Sequence, residues 1–189
     1  DLNFDNGSDV KVIGGSGDDV FRFDNNFDND DEVDGGAGRD TLAINRAWQI
    51  TDDSKISNIE ILQIDGFTGG FDADNVGGLD TVEVIDWLGN ATIDNFVSGG
   101  TFITPDEGTI TINVKGALGS TSDVLNFVVS NGSDLEINTP NVETINLETT
   151  NGGWYNFDFA DDQGLTTLNI DAKGPWGEVE VYGLNSGIK

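Results

Sequence analysis

Cysteine and histidine are both missing from this chain, and each absence removes a branch of chemistry. Without cysteine there is no disulfide and no thiol chemistry. Without histidine the commonest zinc ligand and the usual general base near neutral pH are gone. Basic residues are scarce, with 8 Lys plus Arg against 35 Asp plus Glu and a formal net charge of -27. That balance argues against nucleic acid and anionic membrane surfaces, which are bound by clustered Lys and Arg. No apolar run approaches ~20 residues, so no membrane span is expected, and no N-terminal stretch combines basic residues with an apolar core as a secretory signal does. The chain begins at Asp1, and the expectation is a segment of a longer protein. At 36% hydrophobic and 23% charged residues it is too apolar for simple disorder and should fold. Its carboxylates repel one another, and divalent cations with oxygen ligands are the natural remedy.

Against that background two nine-residue stretches stand out. Gly14-Gly15-Ser16-Gly17-Asp18-Asp19-Val20-Phe21-Arg22 and Gly35-Gly36-Ala37-Gly38-Arg39-Asp40-Thr41-Leu42-Ala43 both match G-G-x-G-x-D-x-U-x, the signature of a calcium-binding parallel β-roll. Glycine permits positive φ and brings bare carbonyls to a cation, the sixth-position Asp adds a carboxylate, and the apolar eighth residue points into a narrow core. Gly14 and Gly35 stand 21 residues apart, close to the ~18 of two nonapeptides forming one coil, so the two copies are expected to stack on one side.

Further along, a second pattern of apolar, x, x, apolar, amide or Asp, apolar recurs. It covers Ile59-Glu60-Ile61-Leu62-Gln63-Ile64, Val82-Glu83-Val84-Ile85-Asp86-Trp87, Val142-Glu143-Thr144-Ile145-Asn146-Leu147 and Leu165-Thr166-Thr167-Leu168-Asn169-Ile170. Within each pair the repeats begin 23 residues apart, a solenoid coil length rather than a helical period. Weaker relatives, Ile110-Thr111-Ile112-Asn113-Val114 and Val124-Leu125-Asn126-Phe127-Val128, fill the gap. These runs read as strands, and the glycines at 66–70, 77–78, 99–100 and 152–153 read as turns between them. A short helix is expected only around Arg46-Ala47-Trp48. Alternation at Leu62/Ile64, Ile112/Val114, Ile145/Leu147, Leu168/Ile170 and Val179/Val181 predicts inward aliphatic ladders. Gln63, Asn113, Asn126, Asn146 and Asn169 fall on the other face, either as solvated outward residues or as an amide ladder. The fold class expected is all-β, a right-handed parallel β-solenoid or β-roll. Its roll-like calcium repeats span residues 1–43, and further coils over 44–189 continue the same stack.

The two nonapeptides resemble those of the RTX proteins, haemolysin-type calcium-repeat proteins exported by bacterial type I systems. The later coils, such as Pro140-Asn141-Val142-Glu143-Thr144-Ile145-Asn146-Leu147, are similar to those of RTX-type surface-layer proteins of Gram-negative bacteria. The resemblance implies a secreted protein at the cell surface, ordered by several Ca2+ ions and associating with copies of itself into a lattice, with attachment to cell-surface polysaccharide left to regions outside this segment. It implies Asp19 and Asp40 as side-chain ligands, carbonyls of Gly15, Gly17, Gly36 and Gly38 as partners, and Asp18 and Asp34 as adjacent candidates. Two imperfect copies extend the set. The stretch from Asp5 to Val12 keeps one glycine and offers Asp9, and the stretch from Gly69 to Gly77 replaces the fourth glycine by Asp72 and offers Asp74. The acidic run Asp28-Asn29-Asp30-Asp31-Glu32 is a candidate to close a site between the good repeats, or a solvated loop.

A polysaccharide lyase or glycosidase is the sharpest enzymatic rival, but the basic residues are scattered singly. Among 35 acids a carboxylate pair at glycosidase spacing arises by chance, so none is diagnostic. The expectation is no enzyme. The alternatives kept beside a coat protein are a calcium-rigidified adhesin or spacer binding glycans or surfaces, and a non-catalytic module of a secreted polysaccharide-active enzyme. Trp48 and Trp87 are expected in the core, with Trp154 and Trp176 at the solenoid edges, and exposed rings would offer a stacking platform for sugars.

Overall fold

The computed structural model describes residues 2–4, 9–105, 107–132, 134–159, 164–174 and 177–188. It is all-β, a parallel β-solenoid of about eight turns. A first face is built from β1 (Leu2–Asn3), β3 (Val20–Asp24), β5 (Thr41–Ile44), β7 (Ile61–Asp72), β8 (Thr81–Phe96), β9 (Thr101–Thr104), β11 (Val124–Val129), β13 (Thr144–Thr149) and β15 (Thr167–Ala172). A second face carries β10 (Gly108–Val114), β12 (Asp134–Asn138), β14 (Trp154–Asp158) and β16 (Glu178–Tyr182), and joins the first through the long strands β7 and β8. The first coils close instead on a three-stranded sheet of β2 (Lys11–Ile13), β4 (Glu32–Asp34) and β6 (Lys55–Ser57). All registered strand pairs are parallel.

Every second residue points inward, so one column of core residues threads the first face: Phe21, Leu42, Leu62, Val82, Phe102, Phe127 and Leu147, all buried and each registered on the next. A parallel stack of this kind repeats the same environment every ~4.8 Å and buries aliphatic and aromatic side chains without helices. The last coil leaves Ile170 exposed and Leu168, Val179 and Val181 half-buried, because no further coil lies over them among the described residues.

Several sequence expectations need correction. The step from β7 to β8 is 20 residues, not 23: Leu62 sits on Val82 and Ile64 on Val84. Ile59 is buried at the corner before the strand, so it resembles a core strand position while belonging to the turn. The 23-residue step does hold from β13 to β15, and the 21-residue step between the nonapeptides holds from β3 to β5. The run Ile110 to Val114 lies on the second face, not on the face of Val124 to Val128.

Gly66, Gly69 and Gly70 do not interrupt the strand. They lie inside β7, which bends from the first face to the second with register shifts at Ile64/Gly66 and Phe67/Gly69. Gly66 is required there because a Cβ would stand 2.2 Å from Nε1 of Trp87. The short helix near Arg46 is present as a 3-10 turn, Ala47–Gln49. A second one, Ala73–Asn75, was not expected. Trp48 and Trp87 are not core residues. Trp48 is 69% exposed, and Trp87 is partly exposed beneath the Arg46 guanidinium, 5.6 Å from the ring centroid. Trp154 is 77% exposed at the start of β14, a strand paired on both sides with β12 and β16, and Trp176 lies outside the described residues.

Candidate metal centre

The two glycine nonapeptides connect the small sheet to the first face, the first joining β2 to β3 and the second β4 to β5. Register places Asp19 over Asp40 and Gly14 over Gly35. The turns stack backbone to backbone, with the Ala37 N–H donating to the Gly15 carbonyl at 2.9 Å. Only glycine allows that approach. A Cβ on Gly36 would lie 2.4 Å from the Gly15 oxygen and one on Gly38 2.6 Å from the Gly17 oxygen, and both residues take positive φ, +93° and +145°. The four glycines named from sequence are thus brought together, with the Gly15 and Gly17 carbonyl oxygens facing Gly36 and Gly38 of the next turn.

Asp40 is the centre of this arrangement. It is 0% exposed. Its Oδ1 accepts the Asp19 N–H at 2.7 Å, and its own N–H donates to Oε2 of Glu60 at 2.7 Å. Its Oδ2 is buried with no hydrogen-bond partner. Leaving a buried acceptor unmatched costs about 1–3 kcal/mol, and more for a charged one. Asp19 Oδ2 accepts the Gly15 N–H at 2.9 Å. Asp18 Oδ1 takes the Arg39 N–H, and Asp34 Oδ1 takes the Gly36 N–H and the Asn58 side-chain amide. An unmatched carboxylate oxygen, a second carboxylate one coil away and carbonyls held close by glycine make an all-oxygen donor set, which fits Ca2+ better than a metal that prefers nitrogen or sulfur.

The other acids named from sequence are used differently. Asp31 is buried, but its two oxygens accept the Val10 and Asp28 N–H groups, so it folds the loop. Asp9, Asp28 and Asp30 bring one oxygen each within 4.8 Å of one another on the surface, while residues 5–8 of that imperfect repeat lie outside the described residues. Asp72 caps the 3-10 turn by accepting from the Asp74 N–H and also takes the Asn95 amide. Asp74 is ion-paired to Lys115 Nζ at 2.6 Å. The structure places Asp72 and Asp74 away from the Asp19/Asp40 stack, with their charge answered from within the chain.

Sequence reading missed that Asp40 belongs to a longer column. The residue just before the strand is Asp19, Asp40, Glu60 and Asp80 in four successive coils, and these register as one column. Asp123 and Glu143 stand just before β11 and β13 as a separate pair two positions earlier in register, since Leu125 and Ile145 are the residues that align with Gly100. The signal was an acid followed by x, apolar, x, apolar: Asp40-Thr41-Leu42-Ala43-Ile44, Glu60-Ile61-Leu62-Gln63-Ile64, Asp80-Thr81-Val82-Glu83-Val84. Arg39 closes the first run with a bidentate pair to Asp80, at 2.6 and 2.8 Å. Hydrogen bonding from Arg39 holds the Asp80 carboxyl below its ordinary value, and the same bond raises the Arg39 guanidinium. A lowered carboxyl stabilises the fold above its unfolded value and loses that contribution as pH falls through the folded one. Both side chains are nearly half exposed, which limits the pair to about 1 kcal/mol. Arg39→Ala is therefore expected to lower stability by no more than about 1 kcal/mol at pH 7, with the difference shrinking below about pH 4. Urea unfolding midpoints of both proteins at pH 7 and pH 3 check this.

No family model, curated protein or solved structure matches this chain. What it can bind therefore rests on the geometry alone. Among the described residues, no helix is long and apolar enough to cross a membrane.

The outward amides resolve into two behaviours. Asn169 donates to Asn146 at 2.8 Å and Asn146 to Asn126 at 2.9 Å, an amide ladder that ends on the Gly99 carbonyl. Gln63 and Asn113 instead donate to the carboxylates of Glu83 and Asp94. Both kinds of contact tie neighbouring coils together along the outer face.

Proposed function

We propose that this chain is a calcium-stabilised β-solenoid segment of a bacterial surface-layer protein, secreted and assembling with copies of itself into a cell-surface lattice. The observation that carries the reading is Asp40: a fully buried carboxylate with one unmatched oxygen, set between glycine turns that stack only because they lack side chains. Asp19, Asp40 and the carbonyls of Gly15, Gly17, Gly36 and Gly38 would hold Ca2+, which supplies the positive charge that a chain of net charge -27 lacks. Rigid, acidic and repetitive, such a segment suits a structural scaffold, and no catalytic role is assigned to it.

Calcium accepts six to eight oxygens and can bridge carboxylates of two chains as readily as those of one. Magnesium holds its waters in a tighter octahedral shell. The full-length protein is therefore expected to form two-dimensional sheets in millimolar calcium and to do so poorly in magnesium, seen by electron microscopy and light scattering. A protein that stays monomeric across millimolar calcium, or responds equally to magnesium, contradicts the coat reading. The exposed rings of Trp48 and Trp154 favour the adhesin or spacer as the second reading, because exposed indole faces suit sugar stacking.

A further inference from the structure

Among the described residues three aspartates are more than nine-tenths buried: Asp31, Asp40 and Asp123. Both oxygens of Asp31 accept backbone N–H groups. Asp40 and Asp123 each keep Oδ2 buried with no partner. Asp123 lies outside both glycine nonapeptides, after the turn Ser120-Thr121-Ser122, and no nonapeptide signature marks it.

The surroundings of Asp123 repeat those of Asp40. Each stands just before a first-face strand and is registered on a glutamate 20 residues later, Asp40 on Glu60 and Asp123 on Glu143. In each, the aspartate N–H donates to Oε2 of that glutamate, at 2.7 Å for Asp40 and 2.8 Å for Asp123. In each, a fully buried leucine follows two residues later, Leu42 and Leu125. Glu143 is further fixed by its backbone, whose carbonyl accepts the N–H groups of Thr166 and Thr167 and the Thr166 hydroxyl. No ion pair among the described residues involves Asp123 or Glu143, so two adjacent carboxylates there have no Lys or Arg against them.

We propose that Asp123 and Glu143 form a second divalent-cation site, selective for calcium and independent of the glycine turns. Two carboxylates and a buried unmatched oxygen ask for a hard cation; hydroxyls of the serine- and threonine-rich turn and water complete the oxygen shell. A site here would pin the later coils of the first face as the glycine turns pin the early ones. Calcium would then stabilise the whole solenoid rather than its beginning alone.

The test uses the whole chain. Crystals of the wild-type protein soaked with terbium, a calcium substitute that scatters anomalously, are expected to show a difference peak at Asp123 Oδ2. A water or no density at that oxygen overturns the proposal. Asp123→Asn is expected to lower the calcium stoichiometry in calorimetry by one while leaving the sites at the glycine turns. It should also invert the order of melting temperatures, with the variant melting above wild type in chelator and below it in calcium. Unchanged stoichiometry, or the same order in both media, overturns it equally. If Asp123→Asn does not fold, Glu143→Gln gives the same readouts, because its amide oxygen still accepts the Asp123 N–H.

Discussion

Gly35→Ala is expected to destabilise the first coils by about 3 kcal/mol or more, at the upper end of what overpacking costs. The added Cβ would stand 1.9 Å from the Asn58 carbonyl oxygen on one side and 2.7 Å from both Cβ and Oδ2 of Asp40 on the other. The first obstacle is backbone, so no rotamer change relieves it. The Gly35 N–H also donates to the Ser57 carbonyl at 3.0 Å, so a shift away from Asn58 strains that bond as well. Gly17→Ala is the matched control, since nothing lies within 4 Å of its added Cβ and its φ is ordinary. It should change stability by no more than about 0.5 kcal/mol. Denaturant unfolding of the two variants in calcium measures the contrast. Equal losses would mean that the turns do not stack as described.

The second large effect concerns Asp40 itself. Asp40→Asn removes the buried charge with little change of shape and leaves an oxygen to accept the Asp19 N–H. In calcium at about 100 times the dissociation constant, a site that binds only the folded chain adds about 2.7 kcal/mol, and the variant should forfeit most of it. Asp19→Asn should also weaken calcium binding, whereas Asp134→Asn, an exposed acid on the second face, should not. Calorimetric titration of the three variants separates them; indistinguishable curves would remove the assignment.

The fold was legible because a parallel solenoid writes itself into sequence as a two-residue alternation repeated at coil length. Leu62/Ile64, Ile112/Val114 and Ile145/Leu147 are buried as the alternation requires. The sixth-position aspartates were legible because the nonapeptide ties them to glycines of fixed spacing. The register of the middle coils was not. Ile59 is as apolar and as buried as a strand residue, so aligning coils on their first apolar position moved the step from 20 to 23 residues. Glu60 and Asp80 were overlooked for the same reason, since the acids before these strands line up with Asp40 only when the register is right; Asp123 and Glu143 form a separate pair that no glycine signature marks. Trp48 and Trp87 show the limit of reading burial from residue type. A large ring is no guide to burial when it sits on a 3-10 turn or across the Gly66 bend under Arg46.

Glycine-rich turns lose more conformational freedom on ordering than any other segment, and a net charge of -27 opposes compaction. Both costs fall on the early coils, where the closing sheet has only the short strands β2, β4 and β6. The most direct measurement is circular dichroism and thermal melting of the intact chain in chelator and in millimolar calcium, at low ionic strength. Calcium-dependent folding predicts lost β signal over the coils of residues 1–43 in chelator, with full recovery and a higher melting temperature in calcium. A spectrum and melting temperature identical in the two media would contradict it.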